Sequence, residues 1–197
     1  MPLPSPAPRS PLHTRRTRFE GWRRDDGLWD IEAELVDTRS IALGIYRTPP
    51  LPAGEPVHDM AIRLTLDDDF VIQAIQTTMD AVPFGQCQNA RPPMEKMIGV
   101  RVGPGWRKAI DAALGGVRGC THLRELLFNM ATVAYQTIPI GKYQLRQLAG
   151  LPQPRLERPP HHVGGCMTWD TEGEAVRQHH PQFVGWQPMS RRTPPAA

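Results

Sequence analysis

The chain has 197 residues, 40% of them hydrophobic and 22% charged, a globular composition long enough for one domain with its own core. Twenty-three Lys and Arg against twenty Asp and Glu leave a net charge of +3, without the broad basic face of a nucleic-acid binder. No stretch approaches the roughly 18–20 apolar residues of a membrane span, so neither nucleic acid nor a membrane is expected as a partner.

The 22 prolines crowd into the first dozen residues and the segment after Gly150. Residues 1–12 read as a disordered Pro-rich arm, 13–150 as a single α+β domain, and 151–197 as a Pro- and His-rich extension partly packed on it. The opening run MPLPSPAPRSPLHTRR lacks the apolar segment of a signal peptide. Three cysteines are a sparse, odd set for a disulfide framework, so reduced thiols and a cytoplasmic location are expected.

Two hairpins come first. Asp26-Gly27 sits between strand-like runs, which predicts a type I′ turn. In the second run Ile31, Ala33 and Leu35 alternate with Asp30, Glu32 and Glu34, one face buried and one wet. Residues 47–56 read as a loop. Met60, Ile62, Leu64 and Leu66 then alternate with Ala61, Arg63 and Thr65; Asp67, Asp68 and Asp69 turn the chain, and FVIQAIQT returns. The four strands predict an antiparallel β-meander. Three helices should follow and pack on one face. One opens at Pro92-Pro93 and ends near Gly99, and one runs over GWRKAIDAAL to Gly115-Gly116. In the third, Leu123, Leu126, Leu127, Met130, Ala131 and Ala134 recur at helical spacing, with Thr121 as the expected N-cap and the signal fading beyond Tyr135.

Chemistry concentrates at Cys87, Cys120 and His122. A cysteine at a helix entrance meets unpaired N–H groups and the helix dipole, which favour a thiolate able to bind metal or attack an electrophile. Cys87 follows the second hairpin and His58 opens the third strand. Strand ends and helix starts can share one edge of an α+β layer, which would gather His58, Cys87, Cys120 and His122 as four N/S ligands for zinc or iron. A free cysteine often only packs, and no CxxC or HExxH pair strengthens the spacing. Asp59 and Arg24 are added as candidate catalytic residues, Arg24 to clamp an anionic or aromatic substrate. Asp67–Asp69 read as a turn, and His161, His162, His179 and His180 as an adventitious metal tract. No GxGxxG, Walker loop or GxSxG elbow is present, which disfavours nucleotide-dependent and serine-hydrolase chemistry.

The runs HTRRTRFEGWRRDDGLWDIEAELVD, HDMAIRLTLDD, GCTHLRELL and GGCMTWDTEGEAVRQHHPQF together resemble an uncharacterised bacterial family of unknown function. Its members occur in proteobacteria, some near genes for aromatic-compound breakdown. The family resemblance leads one to expect a His after the tail cysteine, where this chain has Met167 following Cys166. The stretch from His58 to Ala134 is also distantly similar, in its order of hairpin, cysteine, short helix and cysteine-headed long helix, to the U-type iron–sulfur scaffold and sulfur-acceptor fold. That resemblance places Cys87 and Cys120 at two of its ligand positions and His58 or Asp59 at a third.

The expected function is a small metalloenzyme of lyase or hydrolase type. Its zinc or iron would be held by His58, Cys87, Cys120 and His122, and its substrate would be a small, aromatic carboxylate. The alternative is a non-enzymatic metal, iron–sulfur or sulfur carrier using Cys87 and Cys120. An exposed sheet edge is compatible with a homodimer.

Overall fold

The computed structural model describes residues 3–45 and 48–187, in two units that divide after Lys142. Residues 3–12 carry no helix or strand, and the carbonyls of Pro11 and Leu12 accept hydrogen bonds from Ser40. The chain then forms four strands, β1 (His13–Arg23), β2 (Trp29–Arg39), β3 (Pro56–Leu66) and β4 (Ile72–Ala81). They pair in sequence order, every pair antiparallel, as the alternating patterns predict.

The two turns differ in detail from the sequence reading. In the first, the Gly27 amide donates to the Arg24 carbonyl and the Arg24 amide to Leu28, so the loop has three residues. Gly27 takes positive φ while Asp26 does not. A type I′ turn needs positive φ at both central residues; a longer loop with one left-handed glycine satisfies the same strand twist. In the second, Asp67 Oδ1 accepts the amides of Asp69 and Val71, both at 2.9 Å. Phe70 there adopts φ 65, so the returning strand starts two residues later than the FVIQAIQT run.

One face of the sheet is apolar. Trp29, Ile31, Ala33 and Leu35 of β2 lie beside Met60, Ile62, Leu64 and Leu66 of β3, all buried. Over this face lie a 3-10 helix, Pro92–Met97, and two α-helices, α1 (Trp106–Leu114) and α2 (Thr121–Leu148). They contribute Met94 and Met97, then Trp106, Ile110 and Leu114, then Leu123, Leu126, Leu127, Met130, Ala134 and Ile138 to one shared core. The first segment is a short run with the tighter 3-10 winding, where an α-helix was expected. Each fully buried Leu or Ile of this set is stabilised by roughly 1.5–3 kcal/mol over exposure.

α2 runs on well past Tyr135, through Pro139 and Gly141, to Leu148. Two helix-breaking residues mask it in the sequence; packing overrides them. A Cβ on Gly141 would strike the Trp29 ring, and one on Gly21 of β1 would strike the Thr137 side chain. The glycines therefore permit a close helix–sheet approach. Among the described residues no helix is long and apolar enough to cross a membrane.

The second unit, described by itself, buries Val163, Val176 and Phe183 with Trp169 and Trp186 packed against them. It contains the short helix α3 (Glu174–His179), and His162 lies against Trp169 with ring centroids 4.4 Å apart.

Candidate metal centre

At one end of the sheet the core-facing phase turns polar. Ile31, Ala33 and Leu35 are followed on that phase by Asp37, and Met60 is preceded on it by His58. Arg15, Asp37 and His58 stand directly opposite one another across β1, β2 and β3. Cross-strand partners have Cβ atoms about 5 Å apart, so these three side chains must meet. The first two turns of α2 add His122 and Glu125 from above.

Asp37 is 2% exposed, one of two buried polar residues among those described. A buried carboxylate has to be paired, and this one is paired on both oxygens. Arg15 donates from Nε to Oδ1 at 2.8 Å and from Nη2 to Oδ2 at 2.7 Å, a bidentate fork. His13 Nε2 reaches Oδ1 and His58 Nδ1 reaches Oδ2, each at 2.9 Å. Arg15 Nη1 also donates to Glu125 Oε2 at 2.6 Å. Two carboxylates therefore share one guanidinium, which leaves one net negative charge when the imidazoles are neutral.

Burial pushes the Asp37 carboxyl up, but the Arg15 fork and the two histidines outweigh it and hold the group well below the usual carboxylate range. Burial moves His58 the other way, lowering it against the opposing pull of Asp37. His122 is lowered by burial, then by His58 and Arg15. An ionised carboxylate beside two imidazoles biased toward neutrality is a donor set suited to a cation. Because the carboxylate can only accept, His58 donates from Nδ1 and keeps its Nε2 lone pair.

The rings of His58 and His122 have centroids 4.0 Å apart. Asp37, His58 and His122 each offer one ligand atom, and these atoms lie within 4.8 Å of one another. Cys120 stands beside them, its Sγ 3.7 Å from His122 Nδ1. Its carbonyl accepts the Arg124 amide, the first intrahelical bond, so Cys120 rather than Thr121 holds the cap position of α2.

Of the four ligands expected from the sequence, the structure thus brings His58 and His122 together and sets Cys120 against His122. Cys87 lies apart from this cluster, in a 3-10 helix over Gly85–Ala90. It shares with Cys120 a cavity of 230 Å3 that also takes in Gln86, Asn89 and Arg118. Asp59 occupies the other phase of β3, because successive strand side chains point to opposite faces. Arg24 lies in the first turn, at the far end of β1, paired to Asp26 at 2.6 Å and to Asp30 at 3.6 Å. Neither joins the cluster.

Asp37, Arg15, His13 and Glu125 are the members the sequence reading missed. Asp37 did leave a signal: it continues the buried odd-numbered phase of β2, where a carboxylate is out of place unless partnered. Arg15 and Glu125 left none, since each reads as an ordinary surface charge.

No curated protein and no solved structure matches the chain. Residues 13–136 match a family described as a protein of unknown function, DUF2889, over well over half of the sequence, and the chain belongs to that family.

Proposed function

We propose that this protein binds a divalent transition-metal ion, zinc or iron, through His58, His122 and Asp37, and that the site serves a hydrolase or lyase reaction on a small, aromatic carboxylate. The observation that carries the reading is the convergence of two imidazoles and one carboxylate, from two strands and a helix, with ligand atoms within 4.8 Å. Three protein ligands of this N/N/O type leave coordination positions for water or substrate, as catalytic rather than structural sites do. A bound ion there would supply a Lewis acid or a hydroxide at neutral pH.

The surrounding residues have separate tasks. Asp37, a ligand in this reading, also accepts the His58 Nδ1 proton, which fixes the tautomer and leaves Nε2 for the ion. Arg15 is committed to Asp37 and Glu125, so the bound ion itself would meet a substrate carboxylate, the part the sequence reading gave to Arg24. His13, 38% exposed at its side chain, stands at the rim and holds Asp37 Oδ1. The test is the metal content of the purified chain beside His58→Gln and His122→Gln. Loss of metal in both variants, with the fold retained, supports the reading; metal-free wild-type protein removes it.

A second reading rests on Cys120, whose Sγ lies 3.7 Å from His122 Nδ1, with His122 Nε2 in turn 4.0 Å from Asp37. Thiol, imidazole and carboxylate in that order resemble a nucleophile–base–orienter chain. With Cys87 on the same cavity, the pair suits a sulfur, iron–sulfur or metal carrier. Cys120→Ser separates the two readings: the carrier loses its cargo, whereas the His58–His122–Asp37 centre still holds its ion, though less tightly.

A further inference from the structure

The two edges of the sheet differ. Along β4, Arg91 Nε donates to the Thr77 carbonyl at 3.0 Å and Gln88 Nε2 to the Met79 carbonyl at 2.6 Å, so alternate edge acceptors are taken. Along β1, among the described residues, no strand or other backbone group bonds to the outer edge. This strand is eleven residues long, free of proline, unbroken in its register against β2, and mostly exposed. A long, regular, open edge is a template for another strand, and charged side chains are what guard it in a chain that stays alone. Here the charges are arranged to complement a second copy.

Backbone geometry limits how such a copy can pair. The Ser40 amide donates to the Leu12 carbonyl and the Arg24 amide to the Leu28 carbonyl, just beyond the two ends of β1. Bonding alternates along an antiparallel ladder, so the even-numbered residues of β1 bond to β2 and the odd-numbered ones point their N–H and C=O groups outward. A second β1 running antiparallel therefore bonds odd to odd. With the two-fold axis at Phe19, Thr17 bonds to the partner's Gly21, and Phe19 to the partner's Phe19. The even residues, on the sheet face away from the helices, then stand opposite one another at the closer, non-hydrogen-bonded spacing. There Arg18 meets the partner's Glu20, and Glu20 the partner's Arg18. Arg16 meets the partner's Trp22, a residue 51% exposed in the single chain and a cation–π partner for a guanidinium. Moving the axis one residue either way sets Arg18 against itself or Glu20 against itself, which is repulsive.

We infer that β1 is a homodimer interface, occupied by β1 of a second copy of this chain running antiparallel about Phe19, so that the two four-stranded sheets become one continuous sheet. One like-charged pair results, Arg15 opposite the partner's Arg23, and each is answered within its own chain. Arg15 is held by Asp37 and Glu125, while Arg23 lies over the Trp29 ring at 4.4 Å and 3.9 Å from Asp68. Arg15 also belongs to the candidate metal centre, but the pairing uses only its backbone, so the assignment stands whether or not an ion binds.

The experiment is sedimentation equilibrium of the full chain, with a chelator present to exclude association through a shared ion. The wild-type chain is expected at twice the 22.1 kDa of one copy. Arg18→Glu puts like charges at both symmetric contacts and should weaken the dimer at least about tenfold. Adding Glu20→Arg restores the complementarity about the same axis and should recover it. Thr17→Pro deletes an outward amide that makes no bond to β2, and an edge strand tolerates proline there, so this variant should be monomeric with an unchanged circular dichroism spectrum. Monomeric wild-type protein would overturn the assignment and leave the edge to a strand of another protein. A dimer that survives both Arg18→Glu and Thr17→Pro, or a folded charge swap that fails to recover it, would overturn it too.

Discussion

Asp37 and His58 face each other across β2 and β3, with His58 Nδ1 2.9 Å from Asp37 Oδ2, at the point where the apolar face of the sheet becomes polar. Around this pair the Arg15 fork, His13 and His122 close in, so one carboxylate organises five side chains including Glu125 through Arg15.

Asp37→Asn keeps the shape and removes the charge. It takes the counter-charge from Arg15 and turns one acceptor oxygen into a donor facing groups that already donate. Arg15 retains Glu125 and is partly solvated, so the loss should be about 2 kcal/mol rather than the larger cost of a fully stranded buried charge. Urea unfolding in the presence of a chelator measures it.

Acidification should lower stability in two steps. His58 and His122 have folded-state values below the ordinary 6.5, so the unfolded chain takes up protons first and stability falls as pH drops below about 6.5. The Asp37 carboxyl is depressed in the fold. Its contribution is complete above the unfolded value of 3.8 and is lost as pH falls further toward the folded one. Chemical unfolding across this range should show both slopes. His58→Gln with His122→Gln should flatten the upper step, and Asp37→Asn the lower.

The approach of α2 to the sheet should depend on two glycines. Gly21→Ala would bring its Cβ into the Thr137 side chain and cost about 1–3 kcal/mol by overpacking. Thr137→Ala removes both the hydroxyl and the methyl group that the new Cβ would meet and should recover part of that loss. A double-mutant cycle measured by thermal unfolding would show the coupling, whereas additive effects would mean that the two residues do not touch.

The meander was legible because a strand with one buried face writes its period directly: Ile31, Ala33 and Leu35, then Met60, Ile62, Leu64 and Leu66. The length of α2 was not, since Pro139 and Gly141 are local breakers and what holds the helix there is tertiary contact with Trp29. The site was half legible. His58 and His122 are chemically conspicuous, and a helix entrance marked Cys120. The pairing of Arg15 with Asp37 depends on strand register, and that of Arg15 with Glu125 on how α2 is laid over the sheet, so neither can be read from spacing. Arg24 drew attention as a cation able to clamp an anionic substrate, yet eight to nine residues of extended β1, about 30 Å, separate it from the site.

Cys87 and Cys120 should differ in consequence. Cys87→Ser removes a half-buried thiol from the cavity and should leave metal content unchanged; Cys120→Ser alters the contact to His122 and should weaken metal retention without abolishing it. Equilibrium dialysis against a competing chelator would rank the variants, and a larger effect at Cys87 would favour the carrier reading.

The central claim is tested most directly by elemental analysis of the untagged chain beside the His58→Gln, His122→Gln and Asp37→Asn variants, with circular dichroism to confirm that each is folded. The account predicts near-stoichiometric zinc or iron in the wild-type chain and its loss from the folded variants. Metal-free wild-type protein, or metal that persists in all three variants, would contradict it.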